Sequence, residues 1–303
     1  YKDAEFQLNE GDHMGVVGQN GVGKSTLIHI ITGSQLPLSG NIKWQKNIKI
    51  GYLDQYADVK GDLTLVQFLR TAFQDLYDKN AQLIKLYEDY AKNGDDKLME
   101  RAGQLQDELD SSDFYDIDTR VEQTITGLGL DSIGRDHKVG KMSGGQRSKI
   151  ILAKMLLADP DVILLDEPTN YLDVNQIEWL IDYLNSFKGA AMVVSHDYDF
   201  LEQITNCIIN VAFGKITKYR GSFKQAMRQR AEREDFQQRQ FYKQQVEIDK
   251  AERIIRKNKA GSKANMAKSR EKKLPHMTKV EPSSPNSKGR LDFPYADTRP
   301  PEA

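Results

Sequence analysis

The sequence predicts an α/β protein with a parallel sheet, a helical region and a long helical extension towards its C-terminal end. A glycine-rich segment, Gly18–Thr26, lies between a strand-like apolar run and a helical pattern. Two continuous apolar runs, 162–165 and 190–194, have the composition of strands that are buried on both faces of a parallel sheet. From residue 222 to about residue 259 the chain is polar and reads as one long helix.

The glycine-rich segment GQNGVGKST fits the pattern G-x-x-x-x-G-K-[ST] of a phosphate-binding loop. His13–Val17 is predicted as the preceding strand and Lys24–Ile31 as the following helix, so phosphates would lie at a helix N-terminus. Lys24 would reach the β- and γ-phosphates of a nucleotide, and the Ser25 hydroxyl would hold Mg²⁺. The predicted nucleotide-binding residues are Gly18, Asn20, Gly21, Gly23, Lys24, Ser25 and Thr26.

Composition limits the class of protein. The chain has 303 residues, is 39% hydrophobic and 29% charged, and carries a formal net charge of −1, which is a globular composition. The single cysteine, Cys207, excludes an internal disulfide and suits a reducing compartment, so we expect a cytoplasmic protein. No apolar run approaches the ~20 residues that span a bilayer, so no membrane span is expected. Because the chain starts at Tyr1 without an initiator methionine, we expect a fragment of a longer protein.

Short strands are predicted around the phosphate-binding loop. Ala4–Leu8 and His13–Val17 flank a Glu-Gly-Asp turn and read as a β-hairpin, and Asn41–Trp44 and Ile48–Leu53 read as two more strands. Together they predict an antiparallel β subdomain. Gln55 follows the last of these strands, where its side chain would bind Mg²⁺ or orient a water molecule.

A helical region follows, over residues 62–116. Apolar residues recur at spacings of three, four and seven, and the polar run 93–96 interrupts them. Residues 63–76 are typical of an ordinary helical core. For Tyr77–Ser112 the narrow apolar seam predicts an antiparallel helical hairpin that projects as an arm.

The segment Ser143-Gly144-Gly145-Gln146 precedes an apolar helix and has the features of a helix start. Ser143 is a favourable N-cap residue, and the glycines leave backbone N–H groups uncovered. A hydroxyl, bare N–H groups and the positive end of a helix dipole all suit a phosphate. We call residues 143–146 the SGGQ segment.

Acidic residues follow the first buried strand and a histidine follows the second. Asp166 is predicted to hold Mg²⁺, and Glu167 to polarise the attacking water. His196 follows the end of the strand Ala190–Val194, where it would contact a γ-phosphate. Ile208–Val211 and Lys215–Tyr219 are predicted to close the sheet with a hairpin.

The charge of the chain is unevenly distributed. Between residues 222 and 273 there are 16 Lys or Arg and 7 Asp or Glu, a net charge of +9, so the rest of the chain carries −10. Positive clusters without compensating acids favour contact with a nucleic-acid backbone, although a solvated helix face is the simpler alternative. The predicted RNA-binding residues are Arg256, Lys257, Lys259, Lys263, Lys268, Arg270, Lys272 and Lys273.

Taken in order, GQNGVGKST, Gln55, MSGGQ, VILLDE, the turn at Asp173 and the SHD at His196 resemble an ATP-binding-cassette (ABC) ATPase. The helical insert and the basic stretch NKAGSKANMAKSREKK resemble the ABC-F subfamily, whose members act on ribosomes. The resemblance implies an ABC-type P-loop fold, ATP and Mg²⁺ as ligands, and a second cassette in the same chain. Ser143, Gly144, Gly145 and Gln146 would then face the ATP that the second cassette holds.

By this resemblance the chain divides into a first cassette and its continuation. The predicted parts are a cassette over residues 1–221, a basic helical linker over 222–287, and the start of a second cassette over 288–303. The function implied is ATP hydrolysis coupled to the ribosome, with the linker and the arm touching RNA (rRNA or tRNA) or ribosomal protein. An ATP-binding subunit of a membrane transporter, and a nucleotide-gated scaffold with little turnover, are the alternatives.

Overall fold

The structure is a computed structural model that describes residues 1, 4–53 and 61–257. The chain divides into two compact units, residues 1–226 and 227–303. The first unit contains the sheet, the phosphate-binding loop and the helical region. The domain boundaries at residues 221 and 287 stay predictions.

Within the described residues, one sheet has the strand order β2-β3-β4-β1-β5-β6. The strands are β1 His13–Val17, β2 Ile50–Tyr52, β3 Val162–Asp166, β4 Ala190–Val194, β5 Cys207–Ala212 and β6 Lys215–Arg220. Neighbouring strands pair in parallel from β2 to β5, and β6 pairs antiparallel with β5. The inner strands β3 and β4 are buried, which explains their continuous apolar sequences. The α/β class and the closing hairpin are therefore confirmed.

Helices flank this sheet and form the helical region. They are α1 Lys24–Ile31, α2 Leu65–Arg70, α3 Gln74–Asn93, α4 Asp96–Asp110, α5 Ile117–Gly127, α6 Gly144–Leu157, α7 Val174–Ser186, α8 Tyr198–Ile204 and α9 Phe223–Lys257. Helix α1 has the predicted bounds. Its buried residues Leu27 and Ile28 pack in one apolar cluster with side chains of β1, β3 and β4. The long polar helix is also confirmed, as α9.

Helices α3 and α4 form the predicted antiparallel hairpin. Gly94 ends α3 in a left-handed conformation (φ 64°), and Asp95 caps the start of α4. Leu83, Ala102 and Leu109 are buried between the helices. We refer to the segment 74–116 as the arm.

The predicted hairpin between Ala4–Leu8 and β1 is wrong. Strand β1 pairs with β4 on one side and with β5 on the other, so it has no free edge for a third strand. Residues 4–8 instead lead into a turn in which Asp12 donates its N–H to the oxygen of Asn9 at 2.9 Å. Lys218 of β6 donates to the Gln7 carbonyl oxygen and to Asp12 Oδ2, at 2.8 and 2.9 Å.

The predicted strand at Asn41–Trp44 is also wrong, because these residues have no regular secondary structure. The strand predicted at Ile48–Leu53 is shorter, at Ile50–Tyr52, and pairs in parallel with β3. In the described ranges, antiparallel pairing is limited to β5 with β6 and an isolated bridge between Thr64 and Lys138. The described residues therefore do not form a separate antiparallel subdomain.

Candidate nucleotide-binding site

Three strand ends meet at one edge of the sheet. Strands β3, β4 and β1 are adjacent and parallel, and Val194 at the end of β4 pairs with both Val16 and Asp166. The segments that follow these strands carry the phosphate-binding loop, Glu167 and His196. Because ligands bind at the carboxyl edge of parallel sheets, this edge is the candidate site.

The phosphate-binding loop needs glycine at two positions. A Cβ atom on Gly18 would lie 2.4 Å from the carbonyl oxygen of Val211. Gly23 caps α1 with a φ of 108°, in the region that side chains disfavour, and Tyr1 donates a hydrogen bond from its hydroxyl to the Gly23 carbonyl oxygen. This arrangement leaves the N-terminal N–H groups of α1 available to an anion.

Lys24 is a buried cation held by the loop itself. Its side chain lies in a residue that is only 7% exposed, and its Nζ atom donates to the carbonyl oxygens of Gly18 and Gln19 at 3.0 and 3.2 Å. Among the described residues, no carboxylate lies within ion-pair distance of Lys24. A buried ammonium that only neutral carbonyl groups solvate favours an anionic ligand. The predicted phosphate site thus has suitable geometry.

Glu167 has an unusual backbone conformation. Its φ of 49° lies in the left-handed region, which non-glycine residues rarely adopt. The Glu167 N–H donates to the carbonyl oxygen of Val194 at 2.8 Å, and Glu167 Oε2 accepts from the His196 N–H at 3.2 Å. Glu167 Oε1 is buried and accepts no hydrogen bond from the described residues, and His196 Nε2 lies 3.4 Å from it.

The surroundings of Glu167 change its proton affinity. Burial raises the pKa of the Glu167 carboxyl, the His196 backbone N–H and the charges of His196 and Lys24 oppose that change, and Asp166 adds to it. A carboxylate with a raised pKa is a stronger base than an exposed one. The group is therefore suited to accept a proton from a water molecule.

Magnesium would have oxygen donors at this edge. Asp166 is the last residue of β3, next to Glu167, and Ser25 lies in the first turn of α1. Within the described residues, no group of three or more His, Cys, Asp or Glu could hold a metal ion. A carboxylate and a hydroxyl with nucleotide phosphates are, however, the donor set that Mg²⁺ uses in nucleotide sites. The third predicted ligand, Gln55, lies outside the described residues.

The SGGQ segment forms the start of α6. Ser143 Oγ accepts from the Gln146 N–H at 3.4 Å, and Gln146 Oε1 accepts from the Ser143 N–H at 2.9 Å, which is a capping box. Ser143 and Gly144 are exposed, so this helix N-terminus is open to a phosphate. In the described ranges no hydrogen bond joins the segment to the phosphate-binding loop. The orientation of the segment towards a second nucleotide stays a prediction.

Asp173 caps α7 and has a partner that the sequence analysis missed. Gln176 donates to Asp173 through both its backbone N–H and its Nε2 atom, and it also accepts a hydrogen bond from Lys149 of α6. The Asp-x-x-Gln spacing is a capping-box signal that could have identified Gln176. No local sequence pattern indicates the contact between Lys149 and Gln176, because the two residues are 27 positions apart.

The predicted RNA-binding residues are described only in part. Arg256 and Lys257 end α9, and Arg256 is 3.4 Å from Glu252 in an exposed ion pair. The other six residues lie outside the described residues: Lys259, Lys263, Lys268, Arg270, Lys272 and Lys273.

The arm has the opposite charge to the basic segment. Residues 74–116 contain twelve Asp or Glu and five Lys or Arg, a net charge of −7. All of these acids except Asp89 are exposed, and within the described residues Glu108 is the one arm carboxylate in an ion pair, with Lys79 at 2.7 Å. This charge does not favour contact with RNA phosphates.

Within the described ranges, every helix is too short or too polar to cross a lipid bilayer.

Comparisons with known proteins concern the fold and the family of the chain. A family model described as ABC transporter matches residues 1–170, and a second model with the same description matches residues 209–293. An ATP-binding subunit of an ABC transporter superposes with a TM-score of 0.55 at 19% identity, covering 75% of this chain and 85% of that one. This likeness shows the fold.

Curated relatives extend the match. YfmM of Bacillus subtilis, an uncharacterized ABC transporter ATP-binding protein, is 39% identical over 98% of this chain and 58% of its own length. ABC transporter F family member 5 of Arabidopsis thaliana is 33% identical over 92% of this chain and 41% of its own length. The energy-dependent translational throttle protein EttA of Mycobacterium tuberculosis is 34% identical over 88% and 47%.

The chain spans about half the length of the curated relatives that it matches. The family model covers more than half of the chain. The curated relatives of the chain include ABC-F proteins. The chain therefore belongs to the ABC transporter family of ATP-binding cassettes and is ABC-F-like.

Proposed function

We propose that the protein containing this chain binds ATP with Mg²⁺, hydrolyses it, and couples hydrolysis to binding of the ribosome in the cytoplasm. The observation that carries the proposal is the convergence of Lys24, Glu167 and His196 at one edge of the sheet. A buried cation, a carboxylate of raised pKa and an imidazole beside it are what hydrolysis of a phosphoanhydride requires.

Each residue has a distinct proposed role. Lys24 and the N–H groups of the phosphate-binding loop bind the β- and γ-phosphates, and Glu167 takes a proton from the attacking water. His196 orients Glu167 and contacts the γ-phosphate. Bound Mg²⁺, held by Ser25, Asp166 and Gln55, would neutralise phosphate charge.

A second cassette completes the site in this proposal. Ser143 and Gly144 of the SGGQ segment are exposed, and within the described residues the segment makes no hydrogen bond to the phosphate-binding loop. It would therefore bind the γ-phosphate of an ATP held by another cassette, and Asp173 would lie at the same interface. Hydrolysis by the isolated chain is expected to be weak.

The proposed partner is the ribosome. EttA, a relative, is named as a translational throttle protein, and this chain adds a net +9 between residues 222 and 273. The basic segment would bind RNA phosphates. Because the arm carries a net charge of −7, we propose that it contacts basic ribosomal protein and not RNA.

The test uses the full-length protein with Glu167→Gln, which would bind ATP and hydrolyse it very slowly. It is mixed with ribosomes and pelleted through a sucrose cushion with ATP, with ADP and without nucleotide. We expect it to pellet with ribosomes when ATP is present and to stay largely in the supernatant otherwise. Absence of ribosome association under all three conditions would refute the ribosomal role, and a transporter subunit would give that result.

A further inference from the structure

A buried amide joins the helix that begins at the SGGQ segment to the helix that follows Glu167. Gln176 lies in the first turn of α7 and is only 7% exposed. Lys149 of α6 donates from Nζ to Gln176 Oε1 at 2.7 Å. A buried amide must satisfy its donors and acceptors, so its contacts show which elements have to stay together.

The amide of Gln176 also forms hydrogen bonds with Asp173. Gln176 Oε1 also accepts from the Asp173 N–H at 3.1 Å, and Gln176 Nε2 donates to Asp173 Oδ2 at 2.6 Å. The other carboxylate oxygen, Oδ1, accepts from the Gln176 N–H at 3.1 Å. The cation of Lys149 thus polarises an amide whose N–H points at a carboxylate, an arrangement in which each hydrogen bond strengthens the next.

Two further contacts define this connection. A Cβ atom on Gly129 would lie 2.3 Å from Gln176 Nε2, so a side chain at this position would displace the amide. A Cβ atom on Gly145 would lie 3.5 Å from the ring of Tyr171, which places the turn before Asp173 against the SGGQ segment. Tyr171 therefore lies near Gly145, and Gln176 contacts Lys149 four residues further along α6.

The same turn continues back to Glu167. Asn170 donates its N–H to the Glu167 carbonyl oxygen at 3.3 Å, and Leu172 donates to the Thr169 carbonyl oxygen at 3.1 Å. A displacement of Asp173 would consequently be transmitted to the backbone of Glu167, whose left-handed conformation depends on its neighbours.

We propose that Lys149 and Gln176 are positioning residues that keep the SGGQ segment in register with Asp173 and Glu167. This inference rests on the proposed ATPase function. Neither side chain would touch ATP. They would ensure that a phosphate bound by Ser143 and a water activated by Glu167 are positioned by one connected element.

The first test compares variants of Lys149 in the full-length protein. Lys149→Met keeps the side-chain stem and removes the donor, so kcat for ATP should fall about tenfold while the Kd for ATP changes less than twofold. Lys149→Arg keeps a charged donor and should recover most of the loss. Lys154→Met is the matched control, because Lys154 lies on the same helix and contacts the ring of Phe68; its kcat should match the wild type.

The second test changes the amide. Gln176→Ala removes the connection from the other side and should lower kcat to the same extent as Lys149→Met. Gln176→Glu can still accept a hydrogen bond from Lys149 but loses the donor to Asp173. Its kcat should therefore fall at least as far as that of Gln176→Ala. The Lys149→Met, Gln176→Ala double variant should be no slower than either single variant, because both remove one interaction. If the two residues only stabilised the fold, the substitutions would change the melting temperature, and their effects on kcat would not show this coupling.

The inference is overturned if Lys149→Met turns over ATP within twofold of wild type, or if the two single effects multiply in the double variant. A wild-type protein that hydrolyses no ATP would refute the proposed function separately. In that case ATP-induced compaction, measured as the radius of gyration by X-ray scattering, decides the inference: wild type should compact and Lys149→Met should not. Equal responses of the two proteins would overturn it.

Discussion

His196 Nε2 lies 3.4 Å from Glu167 Oε1, and the His196 backbone N–H donates to Glu167 Oε2 at 3.2 Å. One residue therefore contacts both oxygens of the carboxylate. Because β4 and β3 are adjacent and parallel, residues that follow their ends are brought together although they are 29 positions apart. This pair is the centre of the proposed hydrolytic site and leads to the first two predictions.

Glu167→Gln should separate binding from hydrolysis. The amide keeps the volume of the side chain but cannot accept a proton from water, and loss of a general base costs about 10²–10⁴-fold in rate. We expect the full-length variant to bind ATP with near-normal affinity and to turn it over slowly, as measured by phosphate release and calorimetry. Near-normal turnover would exclude Glu167 as the base.

The raised pKa of Glu167 also predicts a pH dependence of stability. Burial raises the pKa, so the folded protein binds this proton more tightly than the unfolded chain. The folded state is therefore favoured at low pH and loses that contribution as pH rises through the raised pKa. Glu167→Gln removes the buried charge and should raise the melting temperature at pH 8 more than at pH 4.

The control for this pH series is Glu178→Gln, which neutralises an exposed carboxylate on α7. Its melting temperature should differ little from wild type at both pH values. A Glu167→Gln effect that is equal at pH 4 and pH 8 would contradict the assigned direction of the pKa shift. In catalysis, the same shift should place the acidic limb of the kcat profile above the ordinary range of a glutamate.

Lys24→Ala should weaken nucleotide binding itself. Lys24 is held by two carbonyl oxygens of its own loop, and a hydrogen bond to a charged group contributes about 1.5–3 kcal/mol. The Kd for ATP should therefore increase about 10- to 100-fold, as measured by calorimetry. Lys49→Ala, outside the loop, is the control and should leave the Kd unchanged. Unchanged affinity in Lys24→Ala would refute the placement of the phosphate site.

The basic segment makes a prediction about ribosome binding. Reversal of Lys263, Lys268, Lys272 and Lys273 to Glu should abolish ATP-dependent association, because it replaces attraction to RNA phosphates by repulsion. Wild-type binding should also weaken steeply between two salt concentrations in the pelleting assay. Nucleotide affinity should be unchanged. A reversed variant that pellets as well as wild type would favour a solvated helix without RNA contact.

The arm predicts a docking face for protein. Ile84, Tyr87 and Met99 are exposed by 52%, 40% and 41%. In each helix of an antiparallel pair, some residues face the partner helix. The residue that follows such an inward residue lies on the same side of the pair in both helices. Ile84 follows inward Leu83, and Met99 is four residues, about one helical turn, before Gly103, which follows inward Ala102. These apolar residues therefore share one face of the acidic arm.

Changing Ile84, Tyr87 and Met99 together to Ser should weaken ribosome association about tenfold without lowering the melting temperature. The exposed positions Ala81, Gln82 and Gln104, which lie off that face, serve as the matched control when changed to Ser. The measurement is the apparent Kd from pelleting at increasing ribosome concentration. Equal binding by the two triple variants would contradict a protein contact through this face.

Local patterns were sufficient for several elements. The bounds of α1 and β4, the cap of α6 at Ser143 and the hairpin of the arm all follow from signals within a few residues. Glycines that permit unusual backbone angles, N-cap hydroxyls and apolar spacing act over one or two helical turns, so a single sequence displays them.

Pairing between strands could not be predicted in the same way. The alternation in Ala4–Leu8 is typical of a strand, yet β4 and β5 already occupy both edges of β1. Whether an edge is free depends on strands whose paired residues are 178 and 193 positions away in the chain. The local pattern alone therefore predicted a hairpin that the sheet does not accommodate.

By itself, the sequence determined which chemical groups are present and the local frame that holds each one: the phosphate-binding loop, the SGGQ cap, and Asp166 and Glu167 at a strand end. The tertiary structure alone decided that His196 contacts Glu167, that Glu167 adopts a φ of 49°, and that Lys149 reaches Gln176. The physical reason is the distance along the chain between the residues that interact. Caps and turns are set by neighbouring residues, whereas burial, pKa shifts and these contacts depend on how distant segments pack.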